Sequence, residues 1–146
     1  MEPLDGKTKT ALLSFLEDRF GLTDLEGFSF FALGKGRIHL ATREAAALAF
    51  QPPAVVAGLP CARLSDSGAF KPASMLLQLF GPRITKSRVD LSPEQAKEFI
   101  AGRDIALQAE ATDGFIAACS RGQVLGCGLL KAGMLKSQVP RAKRIG

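Results

Sequence analysis

The stretch that decides the reading is Asp113-Gly114-Phe115-Ile116-Ala117-Ala118-Cys119-Ser120-Arg121-Gly122-Gln123-Val124-Leu125-Gly126-Cys127-Gly128-Leu129-Leu130-Lys131, followed by Ala132-Gly133-Met134-Leu135-Lys136-Ser137-Gln138-Val139-Pro140-Arg141-Ala142-Lys143-Arg144. Its first half reads as two apolar strands around a tight Arg121-Gly122-Gln123 turn. Its second half loses that pattern and becomes basic. No Asp or Glu follows Asp113, whereas Arg121, Lys131, Lys136, Arg141, Lys143 and Arg144 all do. Such a surface suits a polyanion. Gly126 and Gly128 sit inside a strand-like run, where glycine marks a bulge or a close approach by another backbone. Two readings stay open for them: a barrel corner packed on the chain itself, and a smooth surface that admits a nucleic-acid backbone.

Working back from this stretch, Ile105 to Ala111 alternates as a strand and Asp113-Gly114 turns it. Ser92-Pro93-Glu94-Gln95 starts a helix, with Ser92 as cap, Pro93 at the first position and Gln95 completing a capping box. That helix ends at Gly102 and leaves Arg103 exposed to solvent. Val89-Asp90-Leu91 reads as a strand, and Gly81-Pro82-Arg83 as a boundary between two parts of the chain. Before it, Pro72 suits the first turn of a helix to Phe80, with Met75, Leu76, Leu79 and Phe80 as its apolar face. Ser65 to Gly68 is a turn, and Leu59–Leu64 and Ala54–Ala57 are short strands. Thr42 caps a short helix to Ala49, which Gln51-Pro52-Pro53 ends. Phe28–Leu33 and Arg37–Leu40 form a hairpin around Gly34-Lys35-Gly36. Lys7–Phe20 is an amphipathic helix with Ala11, Leu12, Phe15, Leu16 and Phe20 on one face and Gly21 as its stop. Short strands around short helices predict an α+β chain containing a small mixed β-barrel.

The chain has 146 residues, 47% of them hydrophobic, which excludes disorder and suits one domain or two small ones sharing a core. The net charge of +5 again favours an anionic partner. Trp and Tyr are absent, so Phe supplies all aromatic packing. Cys61, Cys119 and Cys127 fit no zinc-ribbon or Cys-x-x-Cys spacing. Cys119 and Cys127 flank the hairpin turn, where they could face each other. Buried free thiols in a reducing, cytoplasmic setting are expected. No signal peptide and no membrane-spanning run is read. His39 is the only histidine, so a catalytic triad would have to use it, and no Gly-x-Ser-x-Gly elbow exists. Gly34-Lys35 lacks the phosphate-loop spacing. No cluster has metal-ligand spacing, and no cofactor is expected.

Taken in order, the helix, Gly102-Arg103-Asp104-Ile105, Asp113-Gly114-Phe115, Leu125-Gly126-Cys127-Gly128, Gly133-Met134-Leu135-Lys136-Ser137-Gln138, Pro140-Arg141 and Arg144 resemble a known module. It is the PUA-like RNA-binding domain at the C-terminus of RsmF-type rRNA 5-methylcytosine methyltransferases. Ser137-Gln138 stands where that family usually has Asn and an aromatic residue. Phe20-Gly21-Leu22, Glu26-Gly27-Phe28, Ile38-His39-Leu40 and Gly68-Ala69-Phe70-Lys71-Pro72 resemble the segment preceding that module. The resemblance implies an N-terminal pre-PUA-like α/β subdomain over residues 1–82 and a PUA-like RNA-binding domain over 83–146.

The resemblance also implies a function, which is docking on structured rRNA or tRNA in RNA modification or ribosome assembly. The expected phosphate contacts are Arg103, Lys131, Lys136, Arg141, Lys143 and Arg144. Gly126 and Gly128 would let the backbone approach, and Ser137 and Gln138 would read a 2′-hydroxyl or a base edge. A methyltransferase proper would need a doubly wound sheet with a glycine-rich turn, which would take most of this chain. Leu59-Pro60-Cys61-Ala62 echoes the Pro-Cys of the family's catalytic loop without its preceding Asp, so Cys61 is expected to be structural. The expectation is therefore a non-catalytic, monomeric RNA-binding protein. The alternative is an interaction subunit for a separate methyltransferase or ribosome-assembly protein, docking through an exposed Phe30 or Phe31.

Overall fold

The computed structural model describes residues 2–42 and 58–139. Thr42, the expected helix cap, ends β3; the rest of the expected helix to Ala49 and the strand Ala54–Ala57 lie outside the described residues. Within them the chain is α+β, with two five-stranded sheets.

Helix α1 spans Gly6–Phe20. Asp5 caps it, accepting from the Thr8 amide and the Thr8 hydroxyl, both at 2.8 Å. At the other end Gly21 takes the left-handed conformation, φ 68°. Its amide reaches the Glu17 carbonyl at 2.9 Å, and the Leu22 amide reaches Leu16 at 3.2 Å. Leu12, Leu16 and Phe20 are fully buried. Ala11, expected beside them, is exposed, and Leu13 packs partly in its place.

The first sheet has the order β1-β2-β3-β4-β5. Its strands are β1 (Glu2–Pro3), β2 (Phe28–Ala32), β3 (Arg37–Thr42), β4 (Leu59–Leu64) and β5 (Phe70–Pro72), all paired antiparallel. The pairing of β1 was not legible in a two-residue segment containing proline. Between β3 and β4 the register shifts, because Ile38 faces Ala62 while His39 faces Pro60. Cys61 is the extra residue of that bulge. Pro72 does not open a helix: it closes β5 opposite Ala62. Helix α2 runs over Ser74–Leu79, with Ala73 at its N-cap. Leu76 and Phe80 are buried as expected, but Leu77 takes the buried place expected for Leu79, which is 53% exposed.

The second sheet has the order β6-β8-β9-β10-β7, formed by β6 (Arg88–Asp90), β7 (Ile105–Ala106), β8 (Gly114–Ser120), β9 (Gln123–Lys131) and β10 (Met134–Ser137). It is mixed, since β6 runs parallel to β8 while the other pairs are antiparallel. One of the two sheets curls as a half-barrel, consistent with the expected PUA-like architecture. Helix α3 (Pro93–Ile100) connects β6 to β7 and carries the predicted capping box in full. Strand β7 is shorter than the expected Ile105–Ala111, because only Ile105 and Ala106 find partners on β10.

Both hairpin turns of this sheet place two residues at positive φ: Arg121 (53°) and Gly122 (79°), then Ala132 (51°) and Gly133 (78°). This is the twist that two-residue hairpins need. The second turn creates β10 inside a segment whose sequence shows only its basic character. Alanine is a poor signal for the left-handed position that Asn or Asp usually fills.

Strand β8 explains how the halves join. Ile116 and Ala118 face one core, with Phe99, Leu130, Leu135 and Val139. Ala117 and Cys119 face the other, with Leu12, Leu16, Phe20, Leu76 and Leu77 from the first half. The period of two thus places one strand in two cores, which is why its sequence is apolar without alternation. Polar contacts cross the same seam. Arg19 donates from Nε to the Phe115 carbonyl at 2.6 Å, and its terminal nitrogens reach the Thr112 hydroxyl at 2.6 Å and carbonyl at 2.8 Å. The Ser74 hydroxyl accepts from the Cys127 amide at 2.9 Å. Gln78 donates to the Leu125 carbonyl at 2.7 Å.

Candidate nucleic-acid interface

The β9–β10 hairpin sorts the predicted residues by face. Lys131 lies opposite Met134, and Lys136 lies opposite Leu129. Residues two apart on a strand share a face, so Lys131 and Lys136 are diagonal neighbours, about 7–8 Å apart along the backbone. Both are exposed. The structure therefore brings these two together. Arg103 is also exposed, but it pairs with Glu98 at 3.2 Å, which offsets part of its charge locally. Arg141, Lys143 and Arg144 lie outside the described residues.

Three predicted site residues turn inward instead. Ser137, next to Lys136, occupies the opposite face and is 7% exposed. Its hydroxyl accepts from the Val139 amide at 3.3 Å, so it is placed to finish the strand rather than to meet a base. Gly126 and Gly128 are buried. A Cβ on Gly126 would lie 2.8 Å from Val139 Cγ2 and 2.9 Å from Ser74 Oγ. On Gly128 it would lie 2.7 Å from Leu135 Cδ1. Both glycines therefore pack against the chain itself, the first of the two open readings. The register shift between Ala118 and Cys119, opposite Gly126, marks the bulge.

Gln138 leads to residues that the sequence reading missed. It lines a groove of about 510 Å³ with Arg37, Ile38, His39, Pro60, Ala62, Arg63, Lys71, Pro72, Ala73, Ser74 and Met75. Arg37 is the cross-strand partner of Arg63, and Arg63 is the partner of Lys71. Cross-strand partners share a face, so three exposed cations form a row over β3, β4 and β5. Among the described residues none of the three has a carboxylate within ion-pair distance. Arg37 Nε is held by the Gly34 carbonyl at 2.9 Å. His39 is half-buried in the same groove. Burial, then the charge of Arg37, hold its pKa below the ordinary value, so the ring is uncharged at neutral pH. Arg37 opens β3, while Arg63 and Lys71 each stand between apolar residues of their strands; only the register aligns the three.

The thiols are placed as structural groups. Burial pushes Cys61 and Cys127 up to about 12, and Cys119 is also raised, chiefly by burial. A thiol so raised stays protonated and is a poor nucleophile. Cys119 and Cys127 do not face each other: Cys127 is opposite Ala117 and Cys119 opposite Val124. The hairpin turn is tighter than their spacing requires, and both join the shared core. Phe30 and Phe31 are 4% and 2% exposed, so neither offers the apolar docking face considered for a protein partner.

Comparison with known proteins bears on the second half above all. Residues 86–145 match the family model described as the methyltransferase RsmF PUA domain. A 73-residue stretch, 49% of this chain, is 36% identical to a ribosomal RNA small subunit methyltransferase F from Psychromonas ingrahamii. The match spans 15% of that relative's length. Residues 86–145 are thus similar to the PUA domain of methyltransferase RsmF, and the mixed second sheet is consistent with a PUA-like domain.

Proposed function

We propose that the chain is a non-catalytic RNA-binding protein that docks on structured rRNA or tRNA and serves rRNA modification or ribosome assembly. In this reading residues 1–82 form the pre-PUA segment and 83–146 the PUA-like domain. The observation that carries the reading is the exposed Lys131–Lys136 pair on a domain of the RsmF PUA type. Two lysines on one face meet two phosphates without needing any base identity. The sealed thiols fit a binding role better than nucleophilic chemistry.

The test is RNA binding by the purified chain at low and moderate salt, with total tRNA and rRNA fragments as probes. Lys131→Ala/Lys136→Ala is measured beside the wild type. Affinity should fall with salt, and the double variant should lose about 1.8 from the magnitude of the salt slope on duplex RNA, at roughly 0.9 per phosphate. Absence of wild-type binding at low salt would sink the reading.

A further inference from the structure

We infer that the groove between the first sheet and the end of β10 holds a single-stranded segment of RNA. The inference rests on the RNA-binding reading above and deepens it by naming a second contact surface and the form of RNA it takes. Arg37, Arg63 and Lys71 stand in register on three adjacent strands. Strands are about 4.8 Å apart, so the row is roughly 10 Å long. Like charges placed directly opposite destabilise a sheet. Here they meet no carboxylate among the described residues. An extended anion running across the strands would relieve the repulsion along the whole row.

The rest of the groove suits nucleotides rather than an isolated phosphate. Its apolar floor includes Pro60 and Met75, both half-buried, and His39 lies beside them. An uncharged imidazole offers a flat face on which an unstacked base can lie. Gln138 carries an amide at the rim, with its Nε2 engaged by the Lys136 carbonyl at only 3.3 Å, a weak contact that a 2′-hydroxyl can replace. A paired duplex presents no unstacked base to the groove, so it is expected to dock on the Lys131–Lys136 face instead. Cations over an apolar floor with a stacking ring are the combination that single strands use.

The experiment is fluorescence anisotropy on the full chain with two probes, a dodecauridylate and a 20-base-pair RNA hairpin. Arg37→Gln/Arg63→Gln/Lys71→Gln should reduce the dodecauridylate salt slope by about 2, at roughly 0.7 per phosphate. Between 50 and 200 mM salt that corresponds to roughly 20-fold less loss of affinity than in the wild type. Hairpin binding should change little. Lys131→Gln/Lys136→Gln should show the reverse pattern. His39→Ala should weaken the single strand about tenfold with an unchanged salt slope. Arg37→Lys/Arg63→Lys keeps the charge and should keep the slope, which separates a charge effect from a folding defect.

If the wild type binds the hairpin but the triple variant leaves the dodecauridylate slope intact, the groove assignment is overturned while the proposed function stands. Equal displacement of the dodecauridylate by a twelve-residue poly-glutamate would overturn it in favour of an acidic protein segment. No wild-type binding to either probe overturns both readings.

Discussion

Replacing Gly128 with alanine separates the two roles a glycine can have in this strand. A Cβ there would meet Leu135 Cδ1 at 2.7 Å, Phe99 Cε2 at 3.1 Å and Ile116 Cδ1 at 3.2 Å. All three side chains are fully buried, so none can swing into solvent. Forcing one methyl into a packed core costs about 1–3 kcal/mol. Alanine also restricts the unfolded chain, which returns about 0.4–1 kcal/mol. The net loss is about 1–2 kcal/mol, and for a chain of this size that lowers Tm by roughly 3–6 °C. Thermal unfolding followed by circular dichroism measures it. A Leu135→Val exchange in the same chain should recover part of the loss, since it withdraws the nearest atom, and a double-mutant cycle would give the coupling. RNA affinity of the folded Gly128→Ala variant should match the wild type. An unchanged Tm together with weakened RNA binding would refute the packing argument and return Gly128 to the surface.

Three further outcomes follow from the seam between the halves and from the buried thiols. Arg19→Ala removes three hydrogen bonds from a partly exposed cation, and should lower stability by about 1–3 kcal/mol in urea unfolding, whereas Arg19→Lys recovers only part. Ser74→Ala leaves the Cys127 amide without its partner in the core and should cost about 1–3 kcal/mol; full stability in chemical denaturation would mean that another acceptor reaches that amide. Cys61 and Cys127 should resist iodoacetamide at pH 8 in the native chain and react on denaturation, as mass spectrometry can follow. Rapid native labelling would contradict thiols held near 12.

Helix α1, the capping box at Ser92 and the Arg121-Gly122 hairpin were legible because each is a local device. Asp5, Gly21, Ser92 and Gln95 satisfy backbone groups within a few residues of themselves, so the sequence carries the whole instruction. The basic character after Asp113 was legible for the same reason, since charge needs no fold to be counted. Tertiary structure decided what depends on register. It split Lys136 from Ser137 across two faces of β10, because neighbours on a strand point in opposite directions. It turned Gly126 and Gly128 into packing sites, because α2, α3 and the end of β10 press on that strand. It aligned Arg37, Arg63 and Lys71, whose sequence positions differ by 26 and 8, through pairings that no local pattern encodes. A sequence records which side chains exist and which helices can start; hydrogen bonds between distant strands choose which of those side chains stand together.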